Sequence, residues 1–138
     1  MSITIEKAGI LDTLQDAGRF GFAHLGVNPN GPMDWQSHQL ANALVGNDLK
    51  ETIIESHFPA PLLNIKNSCI MAFAGADFHA QLNGNYLPIN KTLFIPANSV
   101  IQFAKKVSGE RLHIAVHGGF EIEKVMGSAA TNMKGFFG

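Results

Sequence analysis

Ile3 and Ile5 alternate with polar neighbours at the start of the chain, the period of a half-buried strand. The same short alternations return after residue 51. They predict strands over Thr52–His57, Leu62–Ile65, Ser68–Ala74, His79–Leu82, Tyr86–Ile89, Thr92–Ile95, Val100–Ala104 and Arg111–Val116. Asn83-Gly84 between two alternations is a hairpin signal of the primed-turn type. Pro96-Ala97-Asn98 marks another tight connection. Between these regions one segment changes to the helical period. Pro32 or Met33 opens it, Asp34 is its N-cap or first-turn acid, and Gly46-Asn47 ends it. Met33, Ser37, Leu40, Ala41 and Leu44 share one face of that helix; Trp35, Gln39 and Asn42 lie on another. Many short strands with a single helix suggest a closed or nearly closed barrel.

Two stretches fit neither period. From Asp12 to Asp34 the chain is punctuated by Gly18, Gly21, Gly26, Pro29, Gly31 and Pro32, and it reads as one long loop. A loop of that length inside a compact domain is usually functional. The stretch from Gly118 to Gly138 is glycine-rich and irregular, with one short helical turn expected near Ile122–Met126. It stops without a closing strand, as a break in a longer protein would.

Composition narrows the classes. The 138 residues suit one domain with a core of its own. A formal net charge of −1 gives no electrostatic case for nucleic acid or for an anionic membrane surface. Charged residues make up only 15%, against about 25% in typical domains, which hints at a surface covered by a partner or by further chain. Cys69 is the only cysteine, so no intrachain disulfide can form; it reads as a small buried hydrophobe in a strand. The first residues lack the pattern of a signal peptide, and no apolar run approaches the ~18 residues of a membrane span. A cytoplasmic protein is expected.

Six histidines invite a metal reading. His113 and His117 share the strand face opposite Leu112, Ile114 and Val116. Four strand residues span about 13 Å, too far for two ligands of one ion. His24, His38, His57 and His79 show no ligand spacing, so no metal site is assigned. Gly18-Arg19-Phe20-Gly21 and Gly135-Phe136-Phe137-Gly138 match no phosphate-loop fingerprint, and no nucleophile elbow is present.

The long loop carries the candidate chemistry. Gln15, Asp16, Arg19 and Asp34 stand among its glycines, which let a backbone turn sharply or approach a ligand. Arg19 offers a planar fork of donors suited to a carboxylate or carbamate. Asp16 and Arg19 could equally pair and pin the loop, and Asp34 could be a cap alone.

The run Thr13-x-Gln15-Asp16-x-Gly18-Arg19-x-Gly21, followed by Gly26-Val27-x-Pro29-x-Gly31-x-Met33-Asp34, resembles the signature of the biotin-dependent carboxyltransferase family. That family includes a 5-oxoprolinase subunit, allophanate hydrolase subunit 2 and the carboxyltransferase region of urea carboxylase. Ala41-Asn42-x-Leu44-Val45-Gly46-Asn47, Glu55, Gly75-Ala76-Asp77, Gly118-Gly119-Phe120 and Gly127-Ser128 extend the likeness over nearly the whole chain. Two positions depart from it. Phe58-Pro59-Ala60-Pro61 replaces a common Gly-Gly-Pro turn, and His117 stands where a small residue is usual.

The resemblance implies a mainly β fold, a cyclophilin-like β-barrel lobe with one main α-helix. Residues 1–138 would be the first of two similar lobes, cut short near 118–138. It implies catalytic roles for Asp16, Arg19 and Glu55, and substrate-binding roles for Gln15, Asp34, Asn42 and Asp77. Each has a structural alternative: Asn42 as a helix-end ligature, Asp77 as a turn residue, Glu55 as a buried acid in need of a partner. The first functional expectation is a component of an ATP-dependent 5-oxoprolinase, working on a lactam with a paired barrel subunit and a further subunit. This chain would bind no cofactor, and the complex would use ATP. A second is biotin-dependent carboxyl transfer to urea or a related amide. A third is a non-catalytic module that binds a paired barrel subunit or a kinase inhibitor.

Overall fold

The computed structural model describes residues 3–16 and 34–120. The architecture is mainly β. Among the described residues, ten strands form two five-stranded antiparallel sheets, and one helix packs outside them. The strands are β1 (Ile3–Lys7), β2 (Asp12–Gln15), β3 (Ile53–Ser56), β4 (Leu62–Ile65), β5 (Cys69–Asp77), β6 (Ala80–Leu82), β7 (Asn85–Leu87), β8 (Leu93–Ile95), β9 (Ser99–Phe103) and β10 (Ser108–Val116). The helix is α1 (Trp35–Leu44).

One sheet runs β1-β4-β9-β6-β7 and the other β2-β3-β10-β5-β8. Among the described residues the ladders form two sheets and not one closed ring. Their inner faces enclose the larger core. Leu63, Ile65, Ile101 and Phe103 come from the first sheet; Ile54, Met71, Phe73, Ile95, Leu112, Ile114 and Val116 come from the second. Phe73 and Phe103 meet edge to face at 5.6 Å, one from each sheet, an arrangement that favours aromatic pairs beyond their buried area.

Asn83 and Gly84 join β6 to β7 with φ of 48° and 91°. Both central residues are left-handed, as a primed turn needs. Cys69 starts β5 and is half-buried at the core margin.

Two expectations need correction. Asp12–Gln15 is not the start of a loop: it is edge strand β2, paired residue for residue with β3 from Asp12↔Ser56 to Gln15↔Ile53. Its pattern is too short and polar to announce itself, and the ladder supplies what propensity does not. The helix also turns a different face inward. His38, Ala41, Asn42 and Val45 are buried, whereas Leu40 is exposed. The reason lies in the floor beneath it. Ala72 and Ala74 of β5 and Ala115 of β10 form a second small core with Ala41, Val45 and Ile53. An alanine floor lets the helix approach closely, so small and polar residues fill the contact and long ones are turned out.

Candidate functional site

The outer face of the second sheet, under the start of α1, gathers most of the polar residues singled out above. Period 2 along each strand sets this up. Ile114 and Leu112 point into the large core, so His113 and Ala115 point toward the helix. In register, Glu55 sits between Thr13 of β2 and His113 of β10. Gln15 is two residues from Thr13 and on the same face; its Nε2 donates to Thr13 Oγ1 at 3.0 Å. Gln15, Asp16 and Glu55 are all buried.

Two basic side chains flank Glu55. Its Oε2 lies 3.4 Å from His113 Nε2, and its Oε1 lies 3.9 Å from Arg111 Nε. A buried carboxylate requires such partners.

Asp34 caps the helix. Its Oδ1 accepts from Ser37 N at 3.1 Å, and its Oδ2 accepts from Ser37 Oγ. These bonds hold its carboxyl below the usual carboxylate range, with a further contribution from nearby His113. His38, further along the first turn of the helix, is fully buried. Burial pushes its imidazole below the ordinary value, and His113 adds to this; the Glu51 backbone, Asp16 and Glu55 act the other way. Neither of its ring nitrogens makes a well-formed hydrogen bond among the described residues.

A cleft of about 280 Å³ opens beside this cluster, lined by Asp34, Ser37, Gly75, Ala76, Gly109, Glu110 and Arg111. Gly75 makes the opening. Its φ is +88°, and a Cβ there would lie 2.8 Å from His113 Nδ1 and 3.3 Å from Ser37 Oγ. The cluster and cleft thus hold a guanidinium, carboxylates, a carboxamide and imidazoles within one small region. That set can bind a planar polar group through donors and acceptors at once, and it can move protons.

Not every expected site residue joins it. Asn42 is buried further along the helix, where its Nδ2 donates to Glu51 O at 2.9 Å. Asp77 ends β5 and accepts from His79 N at 2.9 Å, holding a turn in which His79 has φ of 52°. Arg19 lies outside the described residues, as do the loop glycines and the stretch from residue 121 onward.

A family model described as "Carboxyltransferase domain, subdomain A and B" matches residues 25–138. The chain belongs to this carboxyltransferase-domain family. It is 33% identical over 131 residues to urea amidolyase of Saccharomyces cerevisiae, covering 94% of this chain and 7% of that protein. It is 31% identical over 132 residues to a 5-oxoprolinase subunit of Escherichia coli, covering 96% of this chain and 43% of that protein. The crystal structure of TTHA0988 superposes with a TM-score of 0.95 at 33% identity, over 100% of this chain and 52% of that one. The chain therefore spans less than half the length of the curated relatives it matches. Among the described residues no helix is long and apolar enough to cross a membrane.

Within this carboxyltransferase domain, the sequence alone does not single out Arg111, His113 or His38 for the site. It brings His113 forward only to test it with His117 as a metal pair, which strand spacing rejects. The signal that points to it is Glu55, an acid in an apolar strand that must have a partner. Which strand supplies that partner is a matter of ladder order, which the residues of β3 do not state.

Proposed function

We propose that this chain forms part of the substrate site of an ATP-dependent 5-oxoprolinase, which opens the lactam of 5-oxoproline to glutamate. The observation that carries this reading is the buried Glu55, flanked by His113 and Arg111 beneath the capped start of α1 and next to a cleft. A lactam presents one carbonyl acceptor and one N–H donor. Arg111 can donate to the carbonyl oxygen and stabilise charge that develops there. Glu55 or Asp16 can take the proton of an attacking water and return one to the leaving nitrogen as the C–N bond breaks. Arg19, Gln15 and Asp34 are assigned to the same site by the sequence pattern; Asn42 and Asp77 support it from a distance.

In this reading the chain binds no cofactor. ATP is consumed by the assembly, and the site is completed in the cytoplasm by a paired barrel subunit and a further one. The similarity to a 5-oxoprolinase subunit supports this reading. The test is ATP-dependent glutamate formation from 5-oxoproline by the full-length protein with its partner subunits. Absence of turnover there would overturn it.

The similarity to urea amidolyase favours a second reading, carboxyl transfer from carboxybiotin to urea or a related amide. Its discriminator is a biotin carboxylase and biotin carrier fused to or encoded beside this chain, with urea-dependent turnover.

A further inference from the structure

The β5–β10 ladder is interrupted beside the cleft. Ser108 pairs with Asp77 and Leu112 pairs with Gly75, so Gly109, Glu110 and Arg111 stand opposite Ala76 alone. Both strands need glycine to allow this. Gly109 has a φ of +75°, and a Cβ there would lie 2.8 Å from Ala76 Cα; a Cβ at Gly75 would lie 2.6 Å from Arg111 O. A bulge re-aims a side chain, and this one brings Arg111 to the wall of the cleft. The Arg111 side chain is 37% exposed. Among the described residues its guanidinium makes no hydrogen bond; its one ion pair, Nε to Glu55 Oε1, is 3.9 Å long, beyond that reach. Glu55 offsets part of the charge but takes none of the donors. The other acids of the cleft are already served: Asp34 turns both oxygens to Ser37, and Glu110 pairs with Lys106. The fork of Arg111 is therefore the cationic group lining this space of about 280 Å³ that still lacks an acceptor. The volume is at the low end of the ~300–1,000 Å³ typical of small-molecule sites.

We propose that Arg111 is the specificity-determining residue of the cleft: it binds a carboxylate on the substrate and so selects an amide that carries one over a neutral amide. The planar fork matches both oxygens of a carboxylate, a fit that a neutral carbonyl uses only in part. In 5-oxoproline the carboxylate and the lactam carbonyl flank the same ring nitrogen, so the donors of one fork can serve both groups. Urea has no carboxylate and leaves the fork under-used. The assignment rests on the lactam-opening reading given above.

The test compares 5-oxoproline with pyrrolidinone, the same lactam without its carboxylate, on the full-length protein assembled with its partner subunits. The quantity read is the ratio of the two kcat/KM values. Any contact of Arg111 with the shared carbonyl affects both lactams and cancels in that ratio. The unsubstituted complex is expected to favour 5-oxoproline by at least about 100-fold, and Arg111→Gln is expected to reduce the preference below about 10-fold. Arg111→Lys keeps a charge beside Glu55 but loses the fork; it is expected to fall between the two, and it decides the matter where Arg111→Gln does not fold. A ratio unchanged in the variants, or no preference in the unsubstituted complex, would overturn the proposal and leave lactam opening in place. A second arm measures Kd for both lactams by calorimetry without ATP, and the same order is expected. If the unsubstituted complex makes no glutamate, the lactam-opening reading falls. Tighter binding of 5-oxoproline that is lost in Arg111→Gln would then still support carboxylate recognition, whereas equal Kd values, or no binding of either lactam, would overturn it too.

Discussion

Glu55 and His113 stand directly opposite each other across the β3–β10 ladder, with carboxylate Oε2 3.4 Å from ring Nε2. The pairing joins an acid and a base that are distant in sequence on the one sheet face the helix covers. The alanine floor, the cap at Asp34 and the opening at Gly75 all serve to place α1 over that pair without filling the space beside it.

The cap has a measurable consequence. Asp34→Ala removes the acceptor for Ser37 N and is expected to cost about 1 kcal/mol of stability at pH 7. Asp34 is held below its ordinary value of 3.8, so its contribution is fully present well above that pH. It is lost as the pH falls through the lower folded value, because the folded chain must then accept a proton it resists. Urea denaturation of both proteins should show a gap near neutrality that closes in acid.

His38 acts over a different range. Burial lowers its value below 6.5, so under pH 6.5 the unfolded chain binds a proton that the folded chain does not. Stability from this group is therefore lost as the pH falls. Melting curves at pH 7.5 and 5.5 should show a drop in Tm that is smaller in His38→Leu.

Gly75 is a narrow position. An added Cβ would lie 2.6 Å from Arg111 O at a φ of +88°. Gly75→Ala is expected to destabilise by more than about 1 kcal/mol and to displace His113. A reduced urea midpoint, with an altered His113 ring spectrum, is the expected outcome.

The end of the helix is tied to the end of β10. Asn47 Nδ2 donates to Val116 O at 2.8 Å, and its Oδ1 accepts from Gly118 N at 2.8 Å. Val116 O also accepts from Gly119 N, so Asn47→Ala removes two tethers without orphaning that carbonyl and is expected to cost roughly 0.5–1.5 kcal/mol. Asn47→Asp, which keeps the acceptor, should fall between the two in thermal melting.

Local features are legible in the sequence; the ladder is not. β4 runs over Leu62–Ile65 as its alternation predicts, and Asn83-Gly84 turns as a primed hairpin should. The capping role of Asp34 is visible because a cap is a matter of adjacent residues. β2 looks like loop because four polar-rich residues become a strand only through pairing with β3. The buried face of α1 departs from the helical pattern because it depends on the alanines of β5 and β10, which come later in the chain. His113 is hidden for the same reason: its partner lies across a strand pair.

The most direct test compares the full-length protein and its Glu55→Gln variant, each assembled with its partner subunits, for ATP-dependent glutamate formation from 5-oxoproline. Turnover by the first is predicted, with a loss of roughly 100-fold or more in the second and circular dichroism showing both folded. Equal rates in the two proteins would contradict a catalytic Glu55.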